Sequence, residues 1–209
     1  MNNEQAYDIW SAQYDTNENK TRDLEAEALR TILPSLPFDN CLEIGCGTGK
    51  NTEYLLSRAK KVTAVDFSTE MLAKAKQKIK SRKVKFIQAD ITRYWDFGDQ
   101  AFDLITFSLV LEHIYDLNEL FRKVADVSAP HNLIYIGELH PWKQYSGSKA
   151  RFGTEKGEQV LICYTHHLTD YIMAARNNGF NIKAIQEYFD NDDRTLPPRI
   201  LTILLEKMK

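Results

Sequence analysis

A glycine-rich turn directly after a short apolar segment constrains the fold of this chain most. The segment "NCLEI" (40–44) is followed by Gly45, Gly47 and Gly49, which are three of only 9 glycines in 209 residues. Glycine weakens regular structure, so a cluster indicates backbone that bends sharply or that another group approaches closely. A turn with positive φ would explain two glycines, whereas three at alternate positions favour a binding loop.

Short apolar segments alternate with amphipathic ones around this turn. Strands are predicted at 40–44, 61–66, 84–90, 102–109 and 132–139, and helices at 50–59, 68–81 and 116–128. A helix at 165–180, closed by Gly179, is followed by the segments 181–189 and 199–207, which read as paired strands. This order predicts an α/β fold: a Rossmann-like, doubly wound, mainly parallel seven-stranded sheet with an antiparallel last strand.

Composition and charge exclude several classes of protein. A net charge of -2 and a pI near 6.2 provide no basic face for nucleic acid. The three cysteines (Cys41, Cys46 and Cys163) have no metal-site spacing and are odd in number, which argues against a disulfide framework or zinc site. There is no secretory signal at the N-terminus and no apolar segment long enough to span a membrane. We therefore expect a cytoplasmic protein of one domain (1–209) without membrane or nucleic-acid partners.

The spacing of the glycines departs from the dinucleotide fingerprint GxGxxG, because Lys50 stands where its last glycine would be. The stretch Glu43-Ile44-Gly45-Cys46-Gly47-Thr48-Gly49 instead resembles motif I of the class I S-adenosylmethionine-dependent methyltransferases. The resemblance implies that this loop passes under the methionyl part of S-adenosylmethionine and that Glu43 engages its amino end.

Companion motifs follow in the order that this family shows. Asp66 ends the second predicted strand, where a carboxylate can accept hydrogen bonds from both ribose hydroxyls; alternatively it caps the next helix, a role that Ser68 could fill. Asp90 ends the third strand, where the resemblance implies a residue facing the adenine amino group. The implied cofactor-binding residues are Glu43, Gly45, Cys46, Gly47, Gly49, Asp66, Phe67, Met71, Asp90, Ile91, Ser108 and His113.

Two features depart from the family pattern. The Pro-Gly-Gly turn that relatives carry before the fifth strand is replaced by Ala129-Pro130-His131-Asn132. Asparagine tolerates the left-handed conformation, so we expect Asn132 to preserve the turn. The loop after the fourth strand lacks the Asp/Asn-Pro-Pro-aromatic signature of enzymes that methylate amino groups on bases or glutamine, which further disfavours a nucleic-acid substrate.

The acceptor side is predicted from two segments. Residues 1–35 are predicted to be helical. Their segment "AYDIWSAQYD" (6–15) resembles the lid of small-molecule enzymes of this family, such as those of quinone and biotin-precursor synthesis. On a helix Tyr7, Trp10 and Tyr14 share one face, either to contact the acceptor or to pack on the domain. The stretch 140–167 is irregular and rich in hydrogen-bonding side chains. Here His140 is the candidate general base, unless it caps the strand, and Arg151 could pair with a carboxylate or phosphate. Tyr145 is a further candidate for acceptor contact.

The resemblance divides the domain into the lid (1–35), a cofactor-binding half (36–139) and an acceptor-side loop, helix and strand pair (140–209). The adjacent His166 and His167 suggest a metal, but no carboxylate or cysteine stands at ligand spacing, so none is expected. The expected reaction is methyl transfer from S-adenosylmethionine, leaving S-adenosylhomocysteine, to oxygen, nitrogen or carbon of a small polar or anionic acceptor. Two alternatives stay open: a protein or peptide methyltransferase, and a non-catalytic cofactor-binding module. The protein is expected to be a monomer or homodimer.

Overall fold

The computed structural model describes residues 1–97, 101–155 and 157–208. The helices are α1 (Asn3–Tyr14), α2 (Lys20–Ile32), α3 (Lys50–Leu56), α4 (Thr69–Lys78), α5 (Leu117–Val127), α6 (Pro141–Tyr145) and α7 (Leu168–Asn177). The strands are β1 (Asn40–Ile44), β2 (Lys61–Asp66), β3 (Val84–Gln88), β4 (Phe102–Ser108), β5 (Ser128–Leu139), β6 (Arg151–Thr154), β7 (Gly157–Val160), β8 (Phe180–Tyr188) and β9 (Ile200–Lys207).

One seven-stranded sheet organises the described chain, in the order β3-β2-β1-β4-β5-β9-β8. The strands β1 to β5 run parallel, whereas β9 lies antiparallel between β5 and β8. The predicted fold class is thereby confirmed, including the antiparallel last strand. The strand order reverses between β1 and β4, and in such sheets a cleft opens beyond the carboxyl ends of the strands at that point.

Apolar clusters cover both faces of the sheet. On one face α5 and α7 bury large side chains, among them Phe107, Phe121 and Phe180, each fully enclosed. On the other, Leu29 of α2 and Leu55 of α3 pack against Cys41 and Tyr135 of the sheet. Complete burial of such a side chain contributes roughly 1.5–3 kcal/mol. The sheet is therefore a rigid platform for the loops at its carboxyl end.

The predicted turn before the fifth strand differs from expectation. His131, not Asn132, takes the left-handed conformation, with φ 58°. Asn132 is fully buried, donates from Nδ2 to the carbonyl oxygen of Phe102 and accepts from the hydroxyl of Ser128. Because these partners fix the side chain of Asn132 inside the sheet, the left-handed residue of the turn is His131, the exposed residue before it. The strand accordingly begins at Ser128, earlier than predicted.

The stretch 140–167 is more regular than the sequence suggested. It contains α6 and an antiparallel hairpin of β6 and β7, in a register that pairs Arg151 with Val160 and Thr154 with Gly157. Lys156, which belongs to this stretch, lies outside the described residues. Across the parts of the chain that the structure describes, no helix combines the length and apolarity needed to cross a membrane.

The N-terminal segment is helical, as predicted, and α1 bridges two parts of the domain. Asn2 caps α1 in a reciprocal pair with Gln5. The Ser68 hydroxyl at the start of α4 donates to Asp8 Oδ1 at 2.6 Å. On the other side, the ring of Trp10 stacks on Phe152 of the hairpin with centroids 5.1 Å apart. These contacts hold α1 across the carboxyl ends of the strands.

Candidate functional site

A cavity of about 290 Å³, called here the main cavity, lies where the carboxyl ends of β1 to β4 meet α1. It collects side chains from four separate loops and from the lid helix. The predicted cofactor residues that line it are Gly45, Gly47, Asp66, Phe67, Met71, Asp90, Ile91, Ser108 and His113, together with Tyr7 and Tyr14 from the predicted acceptor set. Residues far apart in sequence are thus brought to one place by the parallel strands.

Gly45 begins the turn after β1 and is confined on two sides. Its φ is +76°, and a Cβ placed on it would lie 2.1 Å from Cγ2 of Val110. Its amide donates to the carbonyl oxygen of Val65 at 2.8 Å, which ties the turn to β2. Both the conformation and the close approach of the loop after β4 therefore require glycine here.

Gly49 and Cys46 belong to the same turn but do not line the main cavity. Gly49 is the N-cap of α3 with φ +88°, and a Cβ on it would lie 2.8 Å from Cδ1 of Ile79. Close packing against the end of α4 accounts for this glycine, and its position gives no support to the implied cofactor contact. Cys46 is buried and lines a small adjoining cavity of about 40 Å³.

Asp66 is held rigidly at the rim of the main cavity. Its Oδ2 accepts from the amide of Gly47 at 2.8 Å, and its Oδ1 accepts from the amide of Ser68 at 2.9 Å. Burial raises the pKa of Asp66 to about 6, although these amides favour the charged form. The alternative role as helix cap belongs to Ser68, whose hydroxyl accepts from the amide of Met71. Asp66 is thus free to face the cavity.

Asp90, which follows β3, also lines the main cavity. Its carboxylate accepts from the amide and hydroxyl of Thr92, at 2.9 and 2.6 Å, and pairs with Arg93 at 3.3 Å. Burial opposes the charge, but the hydrogen bonds from Thr92 and Arg93 dominate and lower the pKa of Asp90. At neutral pH this wall of the cavity therefore carries an ionised carboxylate.

Glu43 lies beneath the glycine turn, at the small adjoining cavity, and not in the main one. Its Oε2 accepts from the hydroxyl of Thr52 at 2.6 Å. Burial raises the pKa of Glu43 to about 8, and the nearby Glu25, itself raised by burial to about 6, adds to the shift. A cationic group entering this small cavity would compensate two buried acids.

The loop after β4 is fixed by a residue that the sequence analysis missed. Glu138 of β5 is fully buried, and its Oε1 accepts from the amides of Val110 and Leu111 at 2.8 Å each. Burial raises the pKa of Glu138 to about 8. Leu109, with φ 57°, precedes these amides and lines the main cavity. A charged residue within the otherwise apolar "NLIYIGEL" was the sequence signal for this role.

His113 links the lid to the loop after β4. Its Nδ1 lies 2.9 Å from the carbonyl oxygen of Ile162, so Nδ1 carries the proton and donates it. The other ring nitrogen, Nε2, then accepts from the hydroxyl of Tyr7 at 2.9 Å. The rings of Tyr7 and Phe67 also meet edge to face at 5.7 Å. One side chain of α1 therefore contacts the wall of the main cavity on both sides.

A second cavity of about 240 Å³, called here the lid cavity, lies behind the aromatic face of α1. Tyr7, Tyr14 and Leu109 line both cavities and form their boundary. The remaining lining of the lid cavity is Trp10, Asn19, Thr21, Arg22, Glu112, Leu139, Ser148, Lys149, Ala150, Arg151 and Arg199. Tyr7, Trp10, Tyr14 and Arg151 are thus brought together as the sequence analysis expected of acceptor residues.

His140 and Tyr145, the other acceptor-side candidates, lie outside the lining of both cavities. The ring of His140 accepts from the amide of Trp142 at the start of α6, and its Nε2 lies 3.1 Å from Glu187. Tyr145 is half exposed, with its hydroxyl 2.7 Å from Nδ1 of His167. The structure therefore does not bring His140 or Tyr145 together with the other acceptor-side candidates, and His140 caps α6 and not the strand, which was the alternative interpretation.

Three potential metal ligands lie together beside the lid cavity. The ligand atoms of Glu112, His113 and Cys163 are within 4.8 Å of one another. However, Cys163 Sγ approaches Nδ1 of His113 at 3.9 Å, whereas Glu112 Oε1 approaches Nε2 at 4.0 Å. Opposite ring nitrogens point in different directions, and both have the hydrogen-bond partners described above. The geometry is that of a hydrogen-bonded cluster.

Comparison with known proteins is consistent with this arrangement. Residues 42–136 match the model of a family described as "Methyltransferase domain". Nodulation protein S of Sinorhizobium fredii is 31% identical over 142 residues, covering 66% of this chain and 62% of that protein. Malonyl-[acyl-carrier protein] O-methyltransferase of Marinomonas is 28% identical over 176 residues, covering 81% and 65% respectively. The chain thus spans less than two thirds of the length of either relative.

A solved structure from Listeria monocytogenes, named as an S-adenosylmethionine dependent methyltransferase, superposes with a TM-score of 0.75. The superposition covers 90% of this chain and 99% of that one, at 24% sequence identity. This likeness shows the fold.

Proposed function

We propose a function from one premise: residues 42–136 belong to the methyltransferase domain family, and the described sheet has the fold of S-adenosylmethionine-dependent methyltransferases. The protein binds S-adenosylmethionine in the main cavity and transfers its methyl group to a small polar or anionic organic acceptor in the lid cavity. The accepting atom is oxygen, nitrogen or carbon. S-adenosylhomocysteine is the other product.

The observation that carries this proposal is the pair of cavities that meet at Tyr7, Tyr14 and Leu109. In the main cavity, Asp66 accepts hydrogen bonds from the ribose hydroxyls, and Asp90 accepts one from the adenine amino group. Phe67, Met71 and Ile91 supply apolar surface for the base, and the turn at Gly45 and Gly47 admits the methionyl part. The methyl group then points toward the boundary that both cavities share.

The chemistry of such a transfer asks mainly for alignment. The nucleophile displaces the thioether from the methyl carbon, so the two reactants must lie in line with water excluded. Holding two reactants in this way lowers the activation free energy by roughly 7–11 kcal/mol. Here α1 covers both cavities through Trp10 and Tyr7, whose contacts to Phe152 and His113 hold the cover in place.

The size of the lid cavity favours a small acceptor over a protein or peptide. It holds about 240 Å³ beneath a helix, whereas a peptide needs an open groove. The other alternative, a non-catalytic module, would share the cofactor site and differ only in turnover. Incubation with methyl-labelled S-adenosylmethionine and small carboxylates, phosphates, amines and phenols distinguishes the two: labelled product supports the enzyme, and binding without any product supports the module.

The first test is calorimetric titration with S-adenosylmethionine and S-adenosylhomocysteine, beside Asp66→Ala. Loss of two hydrogen bonds to a carboxylate costs about 3 kcal/mol, so we expect roughly 100-fold weaker binding. Asp126→Ala is the matched control, because among the described residues this exposed aspartate pairs only with Arg122, on α5. Thermal unfolding of each variant separates lost binding from lost folding. Absence of binding in the natural protein would contradict the proposal.

A further inference from the structure

One buried carboxylate beside the lid cavity is left without a full set of partners. Glu112 is only 4% exposed, and its Oε2 has no hydrogen-bond partner in the described parts of the chain. A buried polar atom in this state costs free energy unless something else satisfies it. Glu112 also lines the lid cavity, so its carboxyl lies beside any ligand that binds there.

The neighbours of Glu112 favour its acting as a proton acceptor. His113 lies 4.0 Å away but donates its proton to Ile162. The thiol of Cys163 is a hydrogen-bond donor to the carboxyl of Glu112. The hydroxyls of Tyr7 and Tyr171 and the carboxyl of Glu138 also face it electrostatically. Burial raises the pKa of Glu112 above its ordinary value. A carboxylate in such surroundings binds a proton more strongly than an exposed one does.

Cationic side chains line the same cavity, and they differ in what they already bind. Arg151 pairs with Glu158 at 3.4 Å, and Arg199 forms two bonds to Asp190. Both positive charges are therefore largely neutralised by their partners. This pairing removes Arg151, the arginine singled out from the sequence, as the principal anion ligand.

Arg22 and Lys149 have no carboxylate partner in the described residues. The guanidinium of Arg22 lies over the ring of Tyr14, 4.5 Å from its centroid, and donates to the carbonyl oxygens of Tyr14 and Asn17. Its orientation is thus fixed by groups that do not cancel its charge. The lid cavity accordingly has a surplus of positive charge from Arg22 and Lys149 and a proton acceptor in Glu112.

We propose that the lid cavity binds a small acceptor with an anionic group, a carboxylate or phosphate, and with a nucleophilic oxygen or nitrogen that carries a proton. Arg22 and Lys149 bind the anionic group, and Glu112 accepts the proton. This inference rests on the proposed function and narrows its acceptor class. In the step itself the nucleophile's electron pair forms the bond to the methyl carbon, the carbon–sulfur bond breaks toward sulfur, and the proton passes from the nucleophile to Glu112.

The test compares inorganic phosphate with sulfate, titrated at pH 7 into the protein saturated with S-adenosylhomocysteine. The two ions have the same shape, but only phosphate carries a proton at this pH, which it can donate to Glu112. We expect phosphate to bind at least about tenfold more tightly than sulfate, the effect of one hydrogen bond to a charged group. In Glu112→Gln the affinities for phosphate and sulfate should become about equal, because the amide can donate a hydrogen bond to either ion.

The anion-binding part is tested with separate variants. Arg22→Gln and Lys149→Gln should each weaken the binding of both ions. For Arg22→Gln the loss should be about tenfold, because an arginine can form two parallel hydrogen bonds to an oxyanion. Since Arg22 also holds the segment between α1 and α2, Lys149→Gln keeps the test valid if Arg22→Gln is unstable. Lys183→Gln is the control, because this lysine pairs with Glu206 on the edge of the sheet.

The other possible results of these titrations each contradict a stated part of the proposal. Equal affinity for phosphate and sulfate, or a preference that persists in Glu112→Gln, overturns the role of Glu112. Binding that neither Arg22→Gln nor Lys149→Gln changes shows that the ions bind elsewhere and overturns the site. If S-adenosylhomocysteine binds but neither ion does, this inference alone fails. If S-adenosylhomocysteine itself does not bind, the proposed function fails as well.

Discussion

The two cavities are built by different means. The walls of the main cavity are the first residues after β1, β2, β3 and β4, whose relative positions are set by the parallel ladders of the sheet. The lid cavity is bounded by α1, α2 and the hairpin region, which meet through side chains such as Trp10 on Phe152. Backbone ladders fix position regardless of most side chains, whereas side-chain contacts depend on each residue.

This difference extends to stability. Three of the strands below the main cavity, β1, β2 and β4, are almost wholly buried, so opening them costs much of the free energy of unfolding. The lid is held by a few ring contacts and hydrogen bonds, among them Tyr7 to His113 and Ser68 to Asp8. Regions with few buried contacts open locally at lower cost. A lid that opens independently would admit the acceptor while the cofactor site stays formed.

The largest effect that bears on this comparison is expected from Gly45→Ala. A left-handed alanine costs about 1–2 kcal/mol, and the approach of 2.1 Å to Val110 adds about 1–3 kcal/mol. We expect the free energy of unfolding to fall by about 3 kcal/mol and S-adenosylhomocysteine binding to be lost. Urea denaturation and calorimetry measure the two effects.

Gly147→Ala is the matched control, because its φ is +89° but, apart from its chain neighbours, no atom of the described residues lies within 4 Å of the added Cβ. It should cost only about 1 kcal/mol and leave the affinity for S-adenosylhomocysteine unchanged. If the two variants behave alike, the packing at Val110 is unimportant and the main cavity is less rigid than its geometry indicates.

The sequence predicted the two cavities unequally well for the same physical reason. Asp66 and Asp90 end predicted strands, so their meeting at one edge of the sheet was implied by the alternation alone. Glu138 and Arg22 act across distances in sequence that only the folded chain closes, and neither belongs to a local pattern. His140 shows the converse: the end of β5 was placed correctly, but the side chain turns to cap α6, away from both cavities.

Glu138 lies at the junction of the two regions, since the loop it holds carries Leu109 into both cavities. In the folded protein its pKa is about 8, above that of an exposed glutamate, so the folded state binds a proton that the unfolded state releases. Stability from this group is present below the unfolded pKa and is lost as pH rises toward 8. Between pH 6 and pH 8 the loss amounts to about 2 kcal/mol.

Glu138→Gln removes this titration while its amide oxygen can still accept from Val110 and Leu111. We expect the decline in unfolding free energy between pH 6 and pH 8 to be about 2 kcal/mol smaller in the variant, measured by urea denaturation at both values. Other buried acids, such as Glu43, leave part of the decline in place. An unchanged decline would mean that Glu138 is ionised in the folded state and that its charge directly holds the loop.

The smallest effect tests the lid through two tyrosines that each contact a histidine. Tyr7→Phe removes the bond to His113 Nε2 on the boundary of both cavities, which should cost about 1 kcal/mol and weaken S-adenosylhomocysteine binding about fivefold. Tyr145→Phe removes the bond to the ring of His167 on the exposed surface and should change stability by less than about 0.5 kcal/mol without affecting binding. Hydrogen exchange of the α1 amides should accelerate only in Tyr7→Phe, because Tyr7 belongs to α1 whereas Tyr145 belongs to α6. Equal effects of the two variants on cofactor affinity would indicate that the lid does not close the main cavity, and would remove the distinction between a rigid cofactor side and an independently opening acceptor side.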